Sequence, residues 1–386
     1  MAWTFWTAGT YLFAAELVLS FVSICGATWA ETNYQIFLLY VAFALFALLF
    51  NTVLFKAVPM LSKLMIGYIN IGSLFILIAL LVRANPKQSA KTVFVDVVDS
   101  TGWDDKGLVF FLSLLPGVTA INGFDTAAHM SDELSDPARQ VPQVMVGTVL
   151  LCGFAALPMV ITFLFCITNS SDLLASSQPI FTLFQDSMDS FPLTIIACLI
   201  YLGLFTFASG SILTTLSRCW WSFAECGAFP FAQWQSAVSS KWTLPINSLV
   251  VLTIIEILIG LLIFGPSTVL TSLIASAAVC FYISYAVPIT LLLLRGRKDL
   301  PAKRYFNLGK LGPVINTISV CWASIVSVFL CFPSYLPVTT ANMNYTIAVI
   351  AVGTSIFAIN WFAFAKKSYQ VPAALVSQAS HTVTFE

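Results

Sequence analysis

Residues 116–142, PGVTAINGFDTAAHMSDELSDPARQVP, decide the fold. The stretch opens inside a long apolar run and ends acidic and punctuated by prolines. Pro116, Gly117 and Gly123 crowd its first part, with the polar Thr119 and Asn122 between them. Proline removes a backbone donor and glycine loosens the backbone, so a helix here is kinked or interrupted. An interrupted helix at membrane depth survives only where it is buried in protein or lines a cavity. The segment therefore carries meaning only if the chain around it lies in a bilayer.

Composition puts it there. Of 386 residues, 59% are hydrophobic and 9% charged, whereas soluble domains carry about 25% charged residues. Ten apolar runs, near 3–28, 35–56, 61–83, 107–128, 141–168, 192–222, 244–265, 268–294, 311–332 and 344–365, have the length of a spanning helix. Alternating strand-length segments are missing, which argues against a membrane barrel. The expectation is an all-α polytopic helical membrane protein with about ten transmembrane helices and the lipid bilayer as a partner. Zero net charge argues against nucleic acid.

No enzyme constellation is visible. His129 and His381 are the two histidines, and the nine cysteines form no CxxC pair. A metal site is therefore not expected, and neither is a cofactor, since no Walker loop, GxGxxG or GxSxG stands in the sequence. Most cysteines read as small hydrophobes within helices. Cys25, Cys166 and Cys331 fall near outer span ends, where a disulfide can form.

Lysine and arginine set the orientation. With the start of the first span inside, thirteen of the 17 basic residues are cytoplasmic, and Arg83, Lys87, Lys91 and Lys106 are outside. Both termini are then cytoplasmic. Asn169, in the sequon Asn-Ser-Ser, is outside and is the expected glycosylation site. Asn344, in Asn-Tyr-Thr, is outside too, but close to the membrane.

Acids within spans point to function, against the alternative of a protonated acid bonded between helices. Three qualify: Glu16, Asp125 and Glu256. Asp125 stands out because of the break that precedes it. Secondary transporters use such breaks to offer backbone groups and helix ends to substrate and ions. In the sixth span, small residues from Ser209 to Ser217 fit close helix packing. Arg218 marks the inner end, with Trp220, Trp221 and Phe223 at the interface.

GFDTAAHMSDELSDPARQVPQ, 123–143, resembles the segment after the sixth helix of fungal amino acid, GABA and choline permeases of the amino acid–polyamine–organocation superfamily. Gly123, Asp125, Ala128, His129, Met130, Glu133, Val141 and Pro142 carry the match. SRCWWSFAECGAFPFAQW, 217–234, resembles the motif after the family's eighth helix. ISYAVPI, 283–289, resembles a tenth-helix motif, and FPSYLPVTTANMNY, 332–345, the outer loop before the last helix. Glu225 and Cys226 depart from the family pattern, which has Arg and Asp at those places. The register of the motifs makes the first span the family's third helix, so the resemblance implies an incomplete version of the inverted-repeat (5+5) fold. It implies one transmembrane transporter domain over 1–366, family helices 3 to 12, and a short polar cytoplasmic tail over 367–386.

The resemblance also implies function. A secondary carrier would move a small amine (an amino acid, GABA or choline) by alternating access, with H+ as coupling ion. Half of its substrate cradle would be Thr119, Ala120, Ile121, Asn122, Gly123 and Phe124. Asp125 and Glu16 would couple or gate; His129, Glu133 and Arg218 would form the motif at the cytoplasmic loop; Asp136 would cap the next helix. The plasma membrane is the expected location, with the vacuole or another internal membrane as alternatives. A non-transporting permease remnant or membrane partner protein is the competing reading.

Overall fold

The computed structural model describes residues 1–370 except 28–30, 98, 100, 177, 243, 297–299, 301–303 and 341. Three of the counted cations, Arg297, Lys298 and Lys303, and the tail over 371–386 lie outside the described residues. Most of the described residues are helical. In chain order the helices are α1 (Ala2–Ile24), α2 (Asn33–Asn51), α3 (Val58–Arg83), α4 (Ala90–Phe94), α5 (Lys106–Ala120), α6 (Thr126–His129), α7 (Pro137–Cys166) and α8 (Ser170–Ala175). Then follow α9 (Pro179–Met188), α10 (Phe191–Glu225), α11 (Ala232–Gln235), α12 (Ile246–Gly260), α13 (Ser267–Arg295), α14 (Gly312–Phe329), α15 (Thr346–Asn360) and α16 (Lys366–Ser368).

Among the described residues, nine helices are long and apolar enough to cross a membrane. The tenth expected span, 107–128, is the exception, and its sequence explains why. Asp105 starts α5 cleanly, its Oδ1 accepting from the N–H of Gly107 at 2.7 Å and of Leu108 at 3.0 Å. The helix stops at Ala120, four residues after Pro116. Gly123, at φ +80°, adopts a left-handed conformation that a side chain would resist, and α6 resumes at Thr126.

The acidic turn behaves partly as expected. Pro137 is the first residue of α7, where its missing N–H costs nothing. Asp136 occupies the cap position, but its side chain makes no capping bond. Instead its own N–H donates to Gln140 Oε1 at 3.2 Å. The expected cap is corrected accordingly. The nine cysteines are all free thiols, so Cys25, Cys166 and Cys331 form no disulfide.

The central layer is α1, which packs on α2, α10, α12 and α13. Ala8, Tyr11, Ala14 and Ala15 of α1 meet Tyr40 and Ala44 of α2, Leu213 of α10 and Leu249 of α12. Close approach depends on glycine. A methyl at Gly210 would lie 2.6 Å from Phe50 Cγ, and one at Gly260 would lie 2.5 Å from the Tyr40 ring. Apolar packing does not by itself select partners in lipid, so interhelical hydrogen bonds matter. Asn51 of α2 supplies them: Nδ2 donates to the Gly210 carbonyl at 2.8 Å, and Oδ1 accepts from Thr214 at 2.6 Å. Outward faces, such as Leu150, Phe154 and Leu157 of α7, are apolar and exposed, as a lipid-facing surface requires. At the far end, Ser368 and Gln370 are tied to the carbonyls of Gly227 and Cys226.

Candidate functional site

The break places Asp125 just before α6, where the chain turns inward. One helical turn later on the same face stands His129, whose Nε2 lies 3.0 Å from Asp125 Oδ2. Tyr285 reaches the same oxygen from α13, its hydroxyl donating at 2.8 Å. Asp125 is 1% exposed. Its other oxygen, Oδ1, is buried and has no hydrogen-bond partner among the described residues. A buried carboxylate oxygen without a partner is costly, so Oδ1 is the part of the site still open to a donor.

Aromatic rings build the surroundings. Phe281 of α13 is their hub: Trp6 stacks on it with centroids 6.0 Å apart, Tyr285 lies at 5.0 Å and Phe124 meets it edge-on at 5.7 Å. Trp3 stands edge-on to His129 at 5.9 Å. Asp125 and His129 border a cavity of about 850 Å³ whose wall includes Trp3, Trp220, Phe281, Tyr285, Phe357 and Trp361. That volume suits a small organic ligand. Its one carboxylate and its ring faces suit a cation.

A second cavity of about 420 Å³ lies beyond His129, lined also by Asp132, Glu133, Arg218, Cys219 and Trp221. His129, Cys219 and Phe223 border both cavities. Arg218 of α10 pairs with Glu133, so α10 is strapped to the turn that follows α6. The Arg218 guanidinium also sits over Phe55, 5.4 Å from the ring centre.

The residues expected to carry transport fall into four groups. Asp125 and His129 come together on the cavity wall. Glu133 and Arg218 come together one layer further on. Of residues 120–124 none is among the described residues bordering the larger cavity, although Phe124 packs edge-on against Phe281 of its wall. Thr119 and Ala120 end α5, Ile121 is the residue after it, and Asn122 Nδ2 donates back to Val118 at 3.3 Å. Glu16 is elsewhere. It lies thirteen residues beyond Trp3 on α1, about 20 Å along the axis, and accepts from Gln178 Nε2 at 3.0 Å near the outer helices. The structure does not join it to Asp125.

Asn169 is exposed and starts α8, its Oδ1 accepting from the N–H of Asp172. Among the described residues no group of three His, Cys, Asp or Glu could hold a metal. Sequence reasoning missed Tyr285, Trp3 and Cys219. Tyr285 sits within the ISYAVPI segment, but an uncharged ring on an apolar helix gives no sign that it points at an acid.

Comparison with known proteins identifies the family. The amino acid permease family profile matches residues 1–353. A choline transporter of Saccharomyces cerevisiae is 30% identical over 373 residues, covering 95% of this chain and 65% of its own. A transmembrane transporter of Metarhizium robertsii is 29% identical over 82% of this chain and 62% of its own. A polyamine transporter of Saccharomyces cerevisiae is 26% identical over 96% and 62%. The chain thus spans 62–65% of the length of these relatives. With the profile covering most of its length, and a helical bundle broken where the motif stands, the chain belongs to the amino acid permease family.

Proposed function

We propose that this chain forms the substrate path of a secondary carrier for small amines, the class that includes choline, polyamines, amino acids and GABA. The observation that carries the reading is Asp125, a buried carboxylate bordering an aromatic cavity, whose Oδ1 has no hydrogen-bond partner among the described residues. An ammonium group can take that position. A carboxylate can hold a proton or an ammonium but not both, so a proton released to one side as the ammonium binds from the other would couple substrate movement to H+ moving the opposite way. His129 and Tyr285 hold the carboxylate through its other oxygen, Oδ2. The broken backbone at 119–124 gives α6 freedom to move against α5. The Glu133–Arg218 pair serves as the inner gate, and Glu16 gates from the outer side through Gln178.

In this reading residues 1–366 are one transporter domain corresponding to family helices 3 to 12, with a cytoplasmic tail after it. Both termini are cytoplasmic and the plasma membrane is the site of action. The thirteen-to-four charge asymmetry supports the orientation.

The test is radiolabelled choline, putrescine and GABA uptake by the full-length protein in a host lacking its own carriers. Asp125→Asn keeps the shape but cannot hold the ammonium as an ion pair. A charge-assisted hydrogen bond contributes about 1.5–3 kcal/mol, so the half-saturating concentration should rise roughly tenfold to a hundredfold at unchanged surface expression. Uptake by Asp125→Asn within twofold of the parent, with H+ still moving in exchange, would remove this residue from the mechanism.

A further inference from the structure

The most demanding polar group outside that site is Glu256. It lies mid-helix in α12 and is fully buried. Both of its carboxyl oxygens are buried and without a hydrogen-bond partner among the described residues. Across the interface Tyr11 of α1 is 1% exposed, and its hydroxyl is likewise buried and unpartnered. Tyr40 of α2 links the two. Its ring packs edge-on against Tyr11 with centroids 5.6 Å apart, and its hydroxyl donates to the Glu256 backbone carbonyl at 2.9 Å. The shell around them is apolar, including Ala8, Leu213 and Leu252.

Three occupants can be weighed. A lone carboxylate there would carry a charge in a low-dielectric core, and such a group neutralises rather than bear the solvation cost. Among the described residues no Lys, Arg or His forms an ion pair with it; the titratable groups facing it are the phenols Tyr11 and Tyr40 and, from the start of α1, the Met1 amine, whose charge acts on Glu256 without a hydrogen bond to it. A hard metal cation needs about six or more oxygens, and the unpartnered ones here are two from Glu256 and one from Tyr11. A proton needs one. The resulting carboxylic acid has one donor and one free acceptor, and the Tyr11 hydroxyl has the same. A single buried water, which typically makes two to four hydrogen bonds, can serve both.

We propose that Glu256 and Tyr11 form a proton-and-water site separate from Asp125. Glu256 binds a proton and stays a neutral acid, bridged by one buried water to the Tyr11 hydroxyl. The site locks α1 to α12, while Tyr40 ties α2 to the same turn of helix. It is a fixed point of the scaffold against which the Asp125 region moves.

Infrared difference spectroscopy on the purified full-length protein tests this. Glu256→Gln should remove one protonated-acid carbonyl band, present in the parent from mildly acidic to alkaline pH. Tyr11→Phe should keep that band but shift it, because the water loses a partner. Thermal unfolding gives an independent readout: Glu256→Gln should match the parent, and Glu256→Ala should melt earlier. The proposal is overturned if Glu256→Gln removes a carboxylate band instead, or if it melts as early as Glu256→Ala. An unshifted band in Tyr11→Phe would overturn the bridge.

Discussion

Breaking the Arg218–Glu133 pair should open the inner cavity, and the size of the effect can be worked out beforehand. The Arg218 side chain is 10% exposed and that of Glu133 42%. So half-open a pair is screened by solvent, and its coupling is about 1 kcal/mol at most. Arg218 gains roughly 0.5 kcal/mol more from the Phe55 ring. If the pair holds the closed arrangement, its loss raises the open fraction by about fivefold, since 1.4 kcal/mol is tenfold. Arg218→Gln should exceed Glu133→Gln by roughly twofold because it also loses the ring contact. Cys219 is the natural reporter, because it borders both cavities. The assay is its alkylation rate by a membrane-impermeant maleimide applied to the cytoplasmic face, with Cys219→Ala as background. The double variant should modify no faster than Arg218→Gln alone, because the pair is lost only once. Unchanged rates, or free-energy effects that simply add in the double variant, would refute the gate.

The membrane architecture was legible because it rests on runs of apolar residues, which need no knowledge of tertiary contacts. The break was legible for a similar reason: Pro116 and Gly123 act on their own backbone, and α5 ends between them. Asp125 and His129 are four apart, so local helical geometry brings them together once α6 forms. Glu133 and Arg218 are 85 residues apart, and their meeting depends on packing that no local pattern encodes. Tyr285 shows the limit most clearly. It is 160 residues from Asp125, uncharged, and one aromatic among many. Glu16 stands apart from Asp125 for the opposite reason. Its charge made it conspicuous, but charge says nothing of depth, and α1 carries it far from the Asp125 end. The cap at Asp136 was a correct position with a different bond, because Gln140 supplied the acceptor instead.

Two further outcomes follow from packing and topology. Gly210→Ala places a methyl 2.6 Å from Phe50 Cγ, within the interface that Asn51 ties together. Overpacking of this kind costs about 1–3 kcal/mol and should appear as a lower melting temperature, unless Phe50→Leu is added to make room. In the second, Asn169→Gln should abolish the only endoglycosidase-sensitive mobility shift of the protein in a eukaryotic host, although Asn344 also stands in a sequon. Asn344 Nδ2 donates at 2.8 and 2.9 Å to the carbonyls of Leu330 and Phe332, so both of its N–H groups are engaged and the folded loop offers no free amide nitrogen. Asn169 sits on an exposed helix start, reachable if that loop faces the lumen during synthesis. A shift that persists in Asn169→Gln and disappears in Asn344→Gln would contradict the loop geometry, and a parent without any shift would contradict the orientation read from the basic residues.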